Sequence, residues 1–154
     1  MSGSNRDKPQ TDQNGRMESI YRLESGTYEP VIGSASIILD SCGTGRTPQT
    51  MEVSRQLQHD GMGNLTLRTS DGSLILGSGT VLRNNGTLSS NSLSFSDGKC
   101  QWRSRNVIEF TATADNRFDI VLTQYRDFTM QVMGGMTCTQ PQECVFKFRI
   151  SHKL

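Results

Sequence analysis

Val107-Ile108-Glu109-Phe110-Thr111-Ala112-Thr113-Ala114, followed by Asp115-Asn116 and then Arg117-Phe118-Asp119-Ile120-Val121-Leu122, is the stretch that decides the fold class. Ile108, Phe110, Ala112 and Ala114 alternate with polar residues, and Phe118, Ile120 and Leu122 resume the same period of two. That period puts one set of side chains on each face of a strand. Asp and Asn tolerate the positive φ of tight turns, so the stretch reads as a half-buried antiparallel hairpin.

The pattern extends in both directions. Leu65 and Leu67, Leu93 and Phe95, Phe128-Met130-Val132 and Phe146-Phe148-Ile150 alternate in the same way, and Asp60-Gly61, Asp71-Gly72, Asn85-Gly86 and Asp97-Gly98 supply turns between them. Strands are expected near 17–24, 34–40, 50–58, 63–69, 73–82, 86–95, 99–103, 106–114, 117–124, 127–133 and 144–151. Around Thr47-Pro48 a helix start competes, because Thr47 is a good N-cap and Pro48 suits the first helical position. The β neighbours favour a strand there. Gly77-Ser78-Gly79 lacks the spacing of a phosphate loop and reads as a bulge or bend. The expected fold is an all-β, single antiparallel meander over 17–154, closed or strongly curved into a barrel so that few edges stay open, with a β-sandwich as the alternative.

Gly26-Thr27-Tyr28, near the first strand, resembles the Gly-x-Trp start of lipocalins, with Tyr28 in place of the Trp. The likeness covers three residues and implies a lipocalin-like barrel shape rather than an activity.

Composition bounds the function. The 154 residues are only 33% hydrophobic, so the core is thin. With 16 basic and 15 acidic side chains the net charge is +1, which gives no field to attract nucleic acid or anionic lipid. Residues 1–16 contain no large apolar side chain after Met1, so ordering them loses entropy with almost nothing buried in return, and a disordered polar tether is expected. Such a tail resembles the segment that follows the acylated cysteine of bacterial lipoproteins, with Met1 standing in that cysteine's place.

Cys42, Cys100, Cys138 and Cys144 are even in number and fit two disulfides in an oxidising compartment. Cys138 and Cys144 flank a Pro-containing turn and are the expected short bridge. Cys42 with Cys100 then follows by subtraction. Metal is not expected, because zinc sites use closer pairs and only His59 and His152 are available to complete one. Trp102 stands two residues after Cys100, on the same strand face, and reads as a core residue. Asp40, Glu109, Asp119 and Glu143 form no recognisable acid/base pair, and no nucleophile elbow or cofactor motif is present.

These features together suggest a non-enzymatic, cofactor-free cell-envelope lipoprotein domain, periplasmic or anchored to the outer membrane (alternatively secreted), that binds another envelope protein as an inhibitory or assembly module. Its contact loops are expected at 43–47 with Gly43 and Arg46, at 84–91 with Asn85, and at 140–143 with Gln140 and Glu143. The alternative is a lipocalin-like carrier of a small apolar ligand. Neither reading needs nucleic acid, and the membrane enters only through an N-terminal lipid.

Overall fold

The computed structural model describes residues 10–11, 17–18, 20–96, 100–131 and 143–154, and the side chains of 20–94, 101–127 and 143–154. In chain order the elements are β1 (Gln10–Thr11), β2 (Met17–Glu18), β3 (Gly26–Pro30), β4 (Ser36–Asp40), α1 (Pro48–Met51), β5 (Arg55–His59), β6 (Asn64–Thr69), β7 (Ile75–Leu82), β8 (Asn85–Ser89), β9 (Leu93–Ser96), β10 (Cys100–Ala114), β11 (Arg117–Gln131) and β12 (Glu143–Lys153). The chain is nearly all antiparallel β. No helix among the described residues is long and apolar enough to cross a membrane.

Sheet order closes on itself. From β10 the neighbours run β8, β7, β6, β5, β3, β12 and β11, and β11 pairs back onto β10, so the strands form a ring. The deciding hairpin is its longest rung: β10 and β11 stay in register from Arg103↔Asp127 to Ala112↔Phe118. Apart from the separate β1–β2 pair, two described strands of this sheet lie off the ring. β4 continues along the β12 edge that β3 uses, and β9 continues along the β10 edge that β8 uses.

Alternation fills the inner face. Ile108, Phe110 and Ala112 of β10, Phe118, Ile120 and Leu122 of β11, and Phe146, Phe148 and Ile150 of β12 are buried in one cluster with Tyr28, Leu57, Leu65, Leu67 and Leu88. Phe118 is at its centre. Its ring stacks on Phe110 at 4.8 Å and on His152 at 5.0 Å, and it meets Tyr28 at 5.0 Å.

Several strand expectations need correction. Segments 99–103 and 106–114 are one strand, as are 117–124 and the described part of 127–133. Apolar alternation lapses there because the inward positions Ser104, Asn106, Gln124 and Arg126 are polar, while the backbone pairing continues unbroken. Segment 86–95 divides, because the chain leaves β7 after Ser89 and resumes against β10 at Leu93. Segment 17–24 is a strand only at Met17–Glu18, which pairs with Gln10–Thr11. The rest of the proposed tether lies outside the described residues.

The helix start at Thr47 prevails over the expected strand for one turn. Thr50 Oγ1 accepts the Thr47 N–H at 3.2 Å and donates to the Thr47 carbonyl at 2.6 Å, and Met51 enters the core. The chain then extends as β5.

The disulfide pairing also differs from expectation. Cys144 is bonded to Cys42, across 102 residues of sequence, and neither Cys138–Cys144 nor Cys42–Cys100 forms. The reason is topological: β4 lies beside β12 with Asp40 opposite Phe146, so Cys42 arrives next to Cys144 with 4.9 Å between their Cα atoms. That separation suits a bridge. Cys138 lies outside the described residues, as does the side chain of Cys100. Trp102 is buried, as a core residue should be.

Gly77-Ser78-Gly79 sits in β7 beside a register shift opposite Leu67/Arg68, close to the expected bulge. Gly79 does more than bend. A Cβ there would stand 2.3 Å from the Thr87 carbonyl oxygen, so β7 and β8 can approach only because it has no side chain. Gly79→Ala is expected to push the two strands apart and cost about 1–3 kcal/mol by urea denaturation, as overpacking does. Ser78→Ala, whose side chain faces outward, serves as the neutral comparison.

Candidate functional site

The strand directions give the ring two distinct ends, and the expected contact residues divide between them. One end carries the Asp115-Asn116 turn, the 82–85 turn and the 60–63 turn, and is crossed by residues 20–25. Asn84 Oδ1 accepts the Tyr21 N–H, Asp115 Oδ1 accepts the Arg22 N–H, and Asn116 Oδ1 accepts the Glu24 N–H. Leu23 is buried beneath. Asn85 is exposed at this tied-down end. Gly43, Arg46 and Glu143 lie at the opposite end, near the start of β12, and Gln140 falls outside the described residues.

At this second end the 41–54 segment is held closely. The Asp40 carboxylate accepts the Thr44 N–H at 3.1 Å and the Thr44 hydroxyl at 2.8 Å. Partial desolvation opposes its ionisation, but the Thr44, Gly43 and Gly45 donors outweigh it and hold the carboxyl below its ordinary value. Gly43 and Gly45 take φ of 64° and 69°, the left-handed geometry that lets the loop fold around that carboxylate. The Arg46 guanidinium lies 4.8 Å above the Phe146 ring. Next to it the Arg126 guanidinium is pulled below its usual value, first by burial and then by the charge of Arg46, against which Asp40 acts.

Beyond α1, Arg55 is buried on the inner face. Its Nη1 lies 3.3 Å from the Met51 carbonyl, 3.2 Å from the Val53 carbonyl and 2.9 Å from His152 Nε2. Arg46 and Arg55 therefore fasten the segment from within, and the disulfide fastens it at its start. Of the expected contact residues here, Arg46 is engaged in holding its own loop.

An open feature lies on the side of the ring. β8 pairs with β7 only as far as Ser89 opposite Ser78, and the chain then crosses to β10 as β9. Among the described residues, no strand pairs with Ile75–Gly77 on that side. Asn106 partly spans the gap: its Nδ2 donates to the Leu76 carbonyl at 3.2 Å, and its backbone exchanges hydrogen bonds with Ser90. Asn106 Oδ1 and the neighbouring Gln124 Oε1 are buried without a hydrogen-bond partner.

Over this seam lies a groove of about 350 Å³. Arg68, Ser73, Leu74, Ile75 and Ser78 line it from β6, β7 and the turn between them, and Ser89, Ser90, Asn91 and Leu93 line it from β8, β9 and the segment joining them. Leu74, Ile75 and Leu93 are each more than 40% exposed. Ser90 and Asn91 belong to the 84–91 segment read from sequence as a contact region, although Asn85 itself is at the far end. Arg68 and residues 73–75 had no such reading. Their one signal was the run Leu74-Ile75-Leu76, where three apolar residues in succession break the alternation and force at least one outward.

The groove offers strand edges, serine hydroxyls, a small apolar surface and one guanidinium, a combination suited to gripping a chain. The sequence matches no protein-family model, no curated protein and no solved structure.

Proposed function

We propose that this protein is a non-enzymatic, protein-binding module of the cell envelope, shaped as a lipocalin-like barrel and held to a membrane by a lipidated N-terminal tether. The observation that carries the binding reading is the seam beside Ile75–Gly77, an interrupted sheet edge with an exposed groove over it. Unpaired strand edges recruit other chains unless they are blunted, and an extended segment lying along one gains main-chain hydrogen bonds. The Cys42–Cys144 bond supports an oxidising compartment. Less favourable to the carrier alternative is the inner face, where Tyr28, Phe110, Phe118, Phe146 and Ile150 are fully buried in one cluster.

Photo-crosslinking in the producing cells tests the proposal. A photoreactive side chain at Asn91 is expected to capture one discrete protein, and the same group at exposed Thr113, far from the groove, is not. Leu74→Asp combined with Leu93→Asp is expected to abolish the Asn91 product. Equal capture from both positions, or none from Asn91, would overturn the reading.

A further inference from the structure

We infer that the groove takes an extended segment of a partner protein carrying an Asp or Glu side chain, whose carboxylate is gripped by Arg68; this rests on the protein-binding reading above. Among the described residues lining the groove, Arg68 is the one charged residue. It is partly buried, and among the described residues its side chain makes one hydrogen bond, a long one from Nη1 to the Gly72 carbonyl at 3.5 Å. A guanidinium carries five donors in a planar fork that matches a carboxylate. Most of that fork is unused.

The acid nearest in sequence does not use it. Asp71 Oδ1 accepts from the Thr69 hydroxyl at 2.8 Å and from the Ser73 N–H and hydroxyl at 3.0 and 2.7 Å, so this carboxylate is committed to closing its own turn. The remaining polar lining is neutral: serines and Asn91 can pair with a backbone of any sequence. Arg68 thus supplies the charge preference, and the strand edge beside Ile75 supplies the extended conformation. Leu74, Ile75 and Leu93 accommodate apolar neighbours in the bound segment. A segment reading β-former, acid, β-former matches all three demands.

A random heptapeptide phage library panned on the folded, oxidised protein tests this. The retained pool is expected to be enriched in Asp and Glu flanked by Val, Ile or Thr. Synthetic peptides from it should shift the amide resonances of Ser78, Ser89 and Leu93. Arg68→Gln is expected to weaken them about 10- to 100-fold, the loss of a charge-assisted pair. Arg68→Lys should recover only part of that loss, because it restores the charge without the fork. Unchanged urea midpoints of both variants exclude loss of fold. Groove-binding peptides without acid enrichment, and indifferent to Arg68→Gln, would overturn the acidic preference and leave protein binding standing. A pool with no peptide sensitive to the Leu74→Asp, Leu93→Asp pair would overturn both.

Discussion

Reduction of the Cys42–Cys144 bond is expected to lower stability by about 4–5 kcal/mol, the loop-entropy value for a cross-link closing roughly a hundred residues. Its sequence separation of 102 makes this the long-loop limit. Small domains are stable by only about 5–15 kcal/mol, so the reduced protein should stand near its unfolding threshold. The loss should be visible locally before it is global. Cys42 ties down the start of the 41–54 segment beside the Ser41–Val145 and Thr44–Asp40 hydrogen bonds, while Arg46 on Phe146 and Arg55 on the Met51 and Val53 carbonyls hold it further along. Trypsin should therefore cut after Arg46 much faster once reductant is added, at urea concentrations where the oxidised chain resists. Cys42→Ala combined with Cys144→Ala should behave like the reduced protein and be insensitive to reductant. If oxidised and reduced forms share one denaturation midpoint, the bond does not carry this weight.

The bond's partners were not legible in the sequence, for a definite reason. Cys138 and Cys144 are near in sequence with a turn between them, and loop closure favours near pairs. What decides the bridge is that β4 runs along β12, a pairing between residues more than a hundred apart that no local pattern encodes. By contrast the period of two at Ile108–Ala114 and Phe118–Leu122 was legible, because a half-buried strand must alternate whatever its neighbours are. The same rule then misled at 104–106 and 124–126, where the inner face turns polar and alternation of apolar residues stops although the strands do not. The candidate groove was half legible. Its Ser90 and Asn91 fell in a loop-like segment, whereas Arg68 sits inside β6 with nothing in its neighbours to mark it. Only three-dimensional placement shows that it lines a groove.

Mild acid is the second strong expectation, and it turns on His152. The residue is 1% exposed, stacked on Phe118, and its Nε2 is 2.9 Å from Arg55 Nη1. Arg55 is itself buried, which pulls its pKa down to about 10, so it stays charged at neutral pH and donates. The imidazole must then accept at Nε2 and be neutral. Burial first, and the charge of Arg55 second, push its pKa down to about 3 from an ordinary 6.5. A depressed histidine binds its proton more readily when the chain unfolds. Between pH 6.5 and 3 the unfolded state therefore holds the extra proton, and stability falls as pH falls through that window, by up to about 1.4 kcal/mol per pH unit. From pH 7 to pH 5 the loss from this residue alone is about 2 kcal/mol. Asp40, Asp60 and Asp71, whose carboxyls are held below their ordinary values, contribute stability that is lost only at lower pH, so the window above pH 5 is clear of them. His152→Gln keeps an acceptor for Arg55 and removes the titration. It is expected to be less stable than the parent at pH 7, because the ring stack on Phe118 is gone, but to show a much flatter stability from pH 7 to 5. Urea denaturation of both proteins at the two pH values gives the four numbers required. A parent protein with no pH dependence in this range, or a variant with the parent's slope, would show that burial and Arg55 do not hold His152 neutral.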